Sequence, residues 1–155
     1  MTEIRFYHLV RTGLERALPT LLERTLQRGW RAVVITGSTE RTEALNGLLW
    51  TYDDRGFLPH GSAADGFGPR QPIWITEMDE APNDPDVLFL TDGAESASLE
   101  SFQLVCLLFD GNDETAVSNA RQRWASYREA GHVLAYWQQD ANGRWTEKQR
   151  SEKSS

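Results

Sequence analysis

Residues 32–50 read AVVITGSTERTEALNGLLW, and the order of residue types in that stretch decides the fold. Ala32 to Ile35 is a continuous apolar run without polar alternation, the mark of a strand buried on both faces. Gly37 and Ser38 turn the chain, and Thr39 to Trp50 continues as a helix. A strand with no wet side needs a layer above it and a layer below it, so the unit implied is a sheet covered by helices.

Working outward, the same alternation repeats. Ile4 to Leu9 is a short β-type run, and Thr12 stands three residues before Glu15 at capping-box spacing. Leu14, Ala17, Leu18, Leu21, Leu22 and Leu26 then fall on one face of an amphipathic helix. Pro19 lies inside that pattern and is expected to kink the helix without ending it, and Gly29 closes it. Downstream, Gly61 to Gln71 is rich in Gly, Ala and Ser and reads as a loop. Pro72 to Thr76 and Val87 to Thr91 are two more buried strands, separated by an acidic loop holding Pro82 and Pro85. Phe102 to Phe109 is another strand. Asn112 or Asp113 caps a long helix to about Ala130, which Gly131 ends. Val133 to Trp137 reads as a final strand, and Asn142-Gly143 turns into Arg144-Trp145. Strands alternating with helices predict an α/β three-layer sandwich with a mostly parallel central sheet. The expectation is a single domain over residues 1–147, followed by a polar, disordered tail at 148–155.

Bulk properties narrow the function. The chain has 155 residues, enough to bury a core without staples. Its 39% hydrophobic and 25% charged residues are ordinary for a soluble globular protein. A net charge of −7, from 23 acids against 16 bases, argues against direct nucleic-acid binding, which needs a basic face. Cys106, the one cysteine, sits in an apolar run and reads as a small buried hydrophobe in a reducing compartment. No segment has the run of apolar residues that a membrane span or a signal peptide requires, so the cytoplasm is expected.

The search for chemistry is mostly negative. Gly37-Ser38-Thr39 opens a helix after a strand, where amides can hold an anion, yet neither a GxGxxG nor a GxxxxGK[ST] pattern accompanies it. His8, His60 and His132 are scattered singly, so no metal site is expected. No GxSxG or paired nucleophile and base is present, and the acidic pairs Asp53-Asp54 and Asp79-Glu80 lie in loops. No catalytic constellation and no cofactor site follow from these residues. A small nucleotide-binding protein or enzyme using the Gly37–Thr39 turn stays open as the alternative.

Two stretches point instead to binding. In LLWTYDDRGFLPHG, residues 48–61, Trp50, Tyr52 and Phe57 crowd a connection that is normally polar. Far along the chain, in residues 110–132, Arg121, Trp124 and Arg128 share one helical stripe. Each has a plainer reading. Trp124 fits a buried face with Val117 and Ala120, Arg121 and Arg128 fit solvated surface, and Phe57 fits a staple holding its loop to the sheet. Aromatic floor and arginine rim together fit a peptide-binding site.

The chain resembles the chi subunit of bacterial DNA polymerase III holoenzyme. The likeness runs from Phe6-Tyr7-His8-Leu9 to Trp145. Its most specific parts are Leu48-Leu49-Trp50 with Phe57-Leu58-Pro59-His60, and Ala120-Arg121, Arg123-Trp124 and Tyr127-Arg128 before Ala130-Gly131. The resemblance implies a Rossmann-like fold and a non-catalytic accessory protein. Its implied partners are the acidic, Phe-terminated C-terminal tail of single-stranded-DNA-binding protein and the clamp loader, through a psi subunit. It implies a tail site using Trp50 and Phe57, with Arg121 from the long helix and Trp124 where the family has Tyr. Two lysines of well-known relatives fall on Val117 and Ala125 here, and an apolar position becomes Asp110. Arg128, with Arg123 or Arg55, stands where missing positive charge can be restored.

Overall fold

The computed structural model describes residues 2–10, 12–51, 59–63, 65–66, 68–142 and 144–152. Among them, the chain runs β1 (Glu3–Leu9), α1 (Leu14–Gln27), β2 (Ala32–Ile35), α2 (Thr39–Thr51), β3 (Gly61–Ser62), β4 (Ile73–Thr76) and β5 (Val87–Leu90). It continues through β6 (Leu104–Asp110), α3 (Glu114–Glu129), β7 (Val133–Gln139) and β8 (Trp145–Ser151). The strands form one sheet in the order β3-β4-β2-β5-β6-β1-β7-β8. Every neighbouring pair is parallel except β7 and β8. The α/β sandwich expected from the alternation of apolar runs is the observed architecture.

Because successive strand residues face opposite ways, each central strand feeds two cores. Ala32 and Val34 of β2 face the layer of α1 and α2, where Leu18, Leu22, Leu45 and Leu49 are buried. Val33 and Ile35 face the other layer, which α3 covers with Ala120, Trp124 and Tyr127. Leu99 and Phe102, from the connection between β5 and β6, complete that second core. Asn83, fully buried, spends its amide on the carbonyls of Ala32 and Gln71, which pins the proline-containing 77–86 loop against the start of β2.

Helix ends test the capping expectations. Asp113 caps α3 as its type suggests, accepting from the amides of Thr115 at 2.9 Å and Ala116 at 3.4 Å. At the other end Gly131, at φ +91°, takes the left-handed turn that a side chain would resist. Replacing Asp113 by Ala should cost about 1 kcal/mol, a fall of roughly 2–4 °C in melting temperature; an unchanged thermal midpoint would show that the cap is idle. The Thr12–Glu15 capping box, by contrast, does not form. Gly13 occupies the cap position of α1 with no side-chain bond, and the Thr12 hydroxyl bonds Gln139 Oε1 of β7 at 3.0 Å. Pro19 sits on the buried face of an α1 that runs on to Gln27, so apolar burial wins over the break that proline favours.

Two strands depart from the expected layout. Gly61–Ser62 pairs with β4 inside a segment read as loop. The polar tail expected from residue 148 is corrected over Lys148–Ser151, which belong to β8 and pair antiparallel with β7, Ser151 opposite Leu134 and Gln149 opposite Tyr136. A bulge at Tyr136/Trp137 and the charges of Glu147, Lys148 and Arg150 mark it as an edge strand.

Candidate functional site

A cavity of about 410 Å³ opens between α3 and the β6-β1-β7-β8 side of the sheet. It exists because the sheet-facing stripe of α3 is made of small residues before it reaches Trp124. Ala116, Val117 and Ala120 cannot fill the space down to the strands. Trp124 closes one end, its ring edge-on to Phe6 at 5.3 Å between centroids and to Tyr136 at 6.3 Å. Phe6 and His8 of β1, Phe109 of β6, Tyr136 of β7 and Gln149 of β8 supply the remaining lining. Arg121, exposed on α3, stands at the rim. An apolar floor and a planar guanidinium thus meet at one opening.

His8 is held tightly in this floor. Its ring stacks on Phe109, 5.0 Å between centroids and 25° between planes. Nδ1 is hydrogen-bonded with the Tyr136 hydroxyl, and Gln138 Nε2 donates to the same nitrogen at 3.1 Å. Glycine at 111 makes room for the ring, because a Cβ there would lie 1.9 Å from His8 Cδ2. Burial raises the pKa of Tyr136 above the usual phenol value, while the Gln138 hydrogen bond and the nearby Arg121 charge pull it back. The Arg121 charge is therefore felt at the Tyr136 hydroxyl.

The residues nominated from sequence fall in different places. Arg121 and Trp124 come together at the cavity, and Trp124 is both half-buried core and lining. Arg128 is exposed one turn further along α3. Arg123 is directed elsewhere: its side chain is 12% exposed, donates to the Ala94 carbonyl and pairs with Glu95 at 3.7 Å. Trp50 ends α2 in the opposite layer, 51% exposed, with its ring 4.4 Å from that of His60. Phe57 and Arg55 lie outside the described residues. Phe6, His8, Tyr136 and Gln149 were not singled out as site residues by sequence. The one available signal was that Ile4, Phe6 and His8 alternate onto the same face of β1.

A larger cavity, about 630 Å³, lies at the carboxyl ends of β1, β5 and β6, where open α/β sheets commonly bind ligands. Its acids Glu15, Asp92, Asp110 and Asp113 make it hostile to phosphate. Its arginines are occupied, Arg41 with Asp92 and Glu15, Arg123 with Glu95. The Gly37 amide at the mouth of α2 already donates to Asp92 Oδ2 at 3.3 Å, and the Arg41 amide donates to Ser38 Oγ. The Asp92 carboxylate thus holds one amide of the turn that the nucleotide reading would need for a phosphate. Burial pushes the Cys106 thiol up to about 12, which keeps it protonated and inert near neutral pH. Among the described residues no three His, Cys, Asp or Glu side chains group to hold a metal ion, and no helix is long and apolar enough to cross a membrane.

Known proteins with similar sequences converge on one family. Residues 1–135 match the family model described as DNA polymerase III chi subunit, HolC. The chain is 31% identical over 99 residues to a protein of Rickettsia prowazekii (strain Madrid E) named "Probable DNA polymerase III subunit chi". That alignment covers 64% of this chain and 60% of the relative. The edge strand β8 lies beyond the region that the family model matches.

Proposed function

The chain belongs to the DNA polymerase III chi subunit family, and from that premise we propose that it is a non-catalytic cytoplasmic adaptor of the replication machinery. It binds the acidic C-terminal tail of single-stranded-DNA-binding protein in the α3 cavity. It couples that tail to the clamp loader, through a psi subunit where one is present, without touching DNA. The observation that carries this reading is the Arg121 guanidinium at the rim of a cavity lined by Phe6, Trp124 and Tyr136.

A C-terminal phenylalanine presents a ring and a main-chain carboxylate a few ångströms apart. The ring leaves water for the aromatic floor, and the carboxylate meets a planar fork of N–H donors, which Arg offers and Lys does not. Acidic residues upstream are steered by Arg128, a weaker and salt-screened contribution. The cavity draws its rings from Phe6, Trp124 and Tyr136, and Trp50, near the end of α2 in the other layer, is not among its described lining residues. The −7 net charge disfavours a phosphate backbone as the ligand.

A pull-down with this chain from extract of its own cells should recover single-stranded-DNA-binding protein and clamp-loader subunits. Moderate salt should reduce the yield without abolishing it, because ring burial is not screened. Recovery of neither partner would remove the adaptor reading.

A further inference from the structure

We propose that the acidic part of the tail leaves the α3 cavity across β8 and is held there by Lys148, the bulge residue of that strand, beside Gln149. This rests on the tail-binding reading above and adds the path of the peptide upstream of its terminal phenylalanine.

The bulge decides which side chains β8 turns toward the cavity. Glu147 stands opposite Trp137 and Gln149 opposite Tyr136, so Lys148 is the extra residue between them. Trp137 packs with the core on the α1 side and Tyr136 with the core on the α3 side. Glu147 pairs with Arg150 at 2.8 Å, and Arg150 reaches Glu3 of β1 at 3.0 Å and Glu152 at 3.1 Å. Glu3 lies on the α1 side too, because it alternates with Ile4, which is buried in the α3-side core. The acids of this edge are thus gathered by Arg150 on the α1 side, and Lys148 and Gln149 are left for the other. Gln149 lines the α3 cavity. Lys148 is exposed and makes no ion pair among the described residues.

Charge and reach then set the path. Trp124 closes one end of the cavity and α3 packs on β6 and β7, whereas β8 is exposed from Glu147 to Arg150. The open side therefore faces the sheet edge. Neighbouring strands lie about 5 Å apart, and an extended chain advances about 3.3 Å per residue. A peptide whose terminal ring rests between Phe6 and Tyr136 crosses β8 about two to four residues upstream. Arg121 is the one charged side chain among those described as lining the cavity, and it takes the terminal carboxylate. Lys148 adds a second positive charge at the open side, within reach of an upstream acid, and the Gln149 amide can meet a peptide group between the two. A lysine on an edge strand also discourages strand pairing, but that role makes no demand on the charge of a bound peptide.

The test is fluorescence anisotropy at low salt with an acidic, Phe-terminated peptide and with the same peptide after its acids are replaced by Asn and Gln. Lys148→Ala should weaken the acidic peptide by about three-fold, the scale of one exposed ion pair. Lys148→Glu should weaken it by roughly ten-fold, because repulsion replaces attraction. Neither variant should change the melting temperature or the affinity for the neutral peptide, and the loss should shrink as salt is raised. Arg16→Glu makes the same change of net charge on an exposed position of α1, in the opposite layer, and should bind the acidic peptide nearly as wild type does. A Lys148→Glu variant with wild-type affinity for the acidic peptide overturns the path while the cavity keeps its ligand. Equal weakening of both peptides overturns it as well, as does an Arg16→Glu variant weakened as much as Lys148→Glu, since net charge alone would then be the cause. If wild type binds neither peptide, the tail-binding reading falls and takes the path with it.

Discussion

Replacing Arg121 by alanine is expected to weaken binding of a Phe-terminated acidic peptide by about ten-fold or more, with little change in thermal stability. Arg121 is exposed on α3 and makes no ion pair among the described residues, so its removal leaves nothing buried and uncompensated. Arg121→Lys separates charge from geometry. It keeps the cation and loses the fork, so most of the affinity should still be lost if the guanidinium grips a carboxylate in bidentate fashion. Anisotropy titrations of the two variants beside wild type give the answer. Wild-type affinity in the alanine variant would place the carboxylate elsewhere.

Trp124→Ala carries the second large effect, and it has two readouts. The ring packs edge-on against Phe6 and Tyr136, so truncation should cost roughly 2–4 kcal/mol of stability through lost burial and an unfilled space. It should also remove one wall of the cavity and lower peptide affinity by about ten-fold or more. Binding must be measured well below the variant's melting transition. Trp124→Phe restores a ring and should recover most of the stability and part of the affinity. A Trp124→Ala protein that is destabilised yet binds as wild type does would show the ring to be core alone.

The parts of the fold legible in sequence are those where burial is extreme. β2, β4 and β5 are buried on both faces, so no polar alternation dilutes their apolar runs. β8 is the opposite case. Beyond Trp145 it is TEKQRS, an edge strand whose exposed residues look like a tail, and only its backbone pairing to β7 reveals it. β3, two residues long, is too short to have a period. The Thr12 hydroxyl is taken by Gln139, 127 residues away, and no local pattern announces such a competitor.

The site divides in the same way. Arg121 and Trp124 are three residues apart on one helix, a relation that spacing alone reveals. Phe6, His8, Phe109, Tyr136 and Gln149 meet them only because the sheet order sets β6, β1, β7 and β8 side by side. His8 therefore looked like one more scattered histidine. Trp50 shows the converse limit, since its local context gave no sign of which face of the sheet α2 covers. Arg123 is two residues from Arg121, yet it turns to the β5–β6 connection and is spent on Ala94 and Glu95.

Tail capture in the α3 cavity is tested most directly by anisotropy titrations of this chain with a labelled tail peptide, intact and lacking its terminal phenylalanine. The intact peptide should bind saturably, and the shortened one should give no measurable binding at the same concentrations. Equal affinity for the two peptides would contradict the α3 cavity as the seat of tail capture.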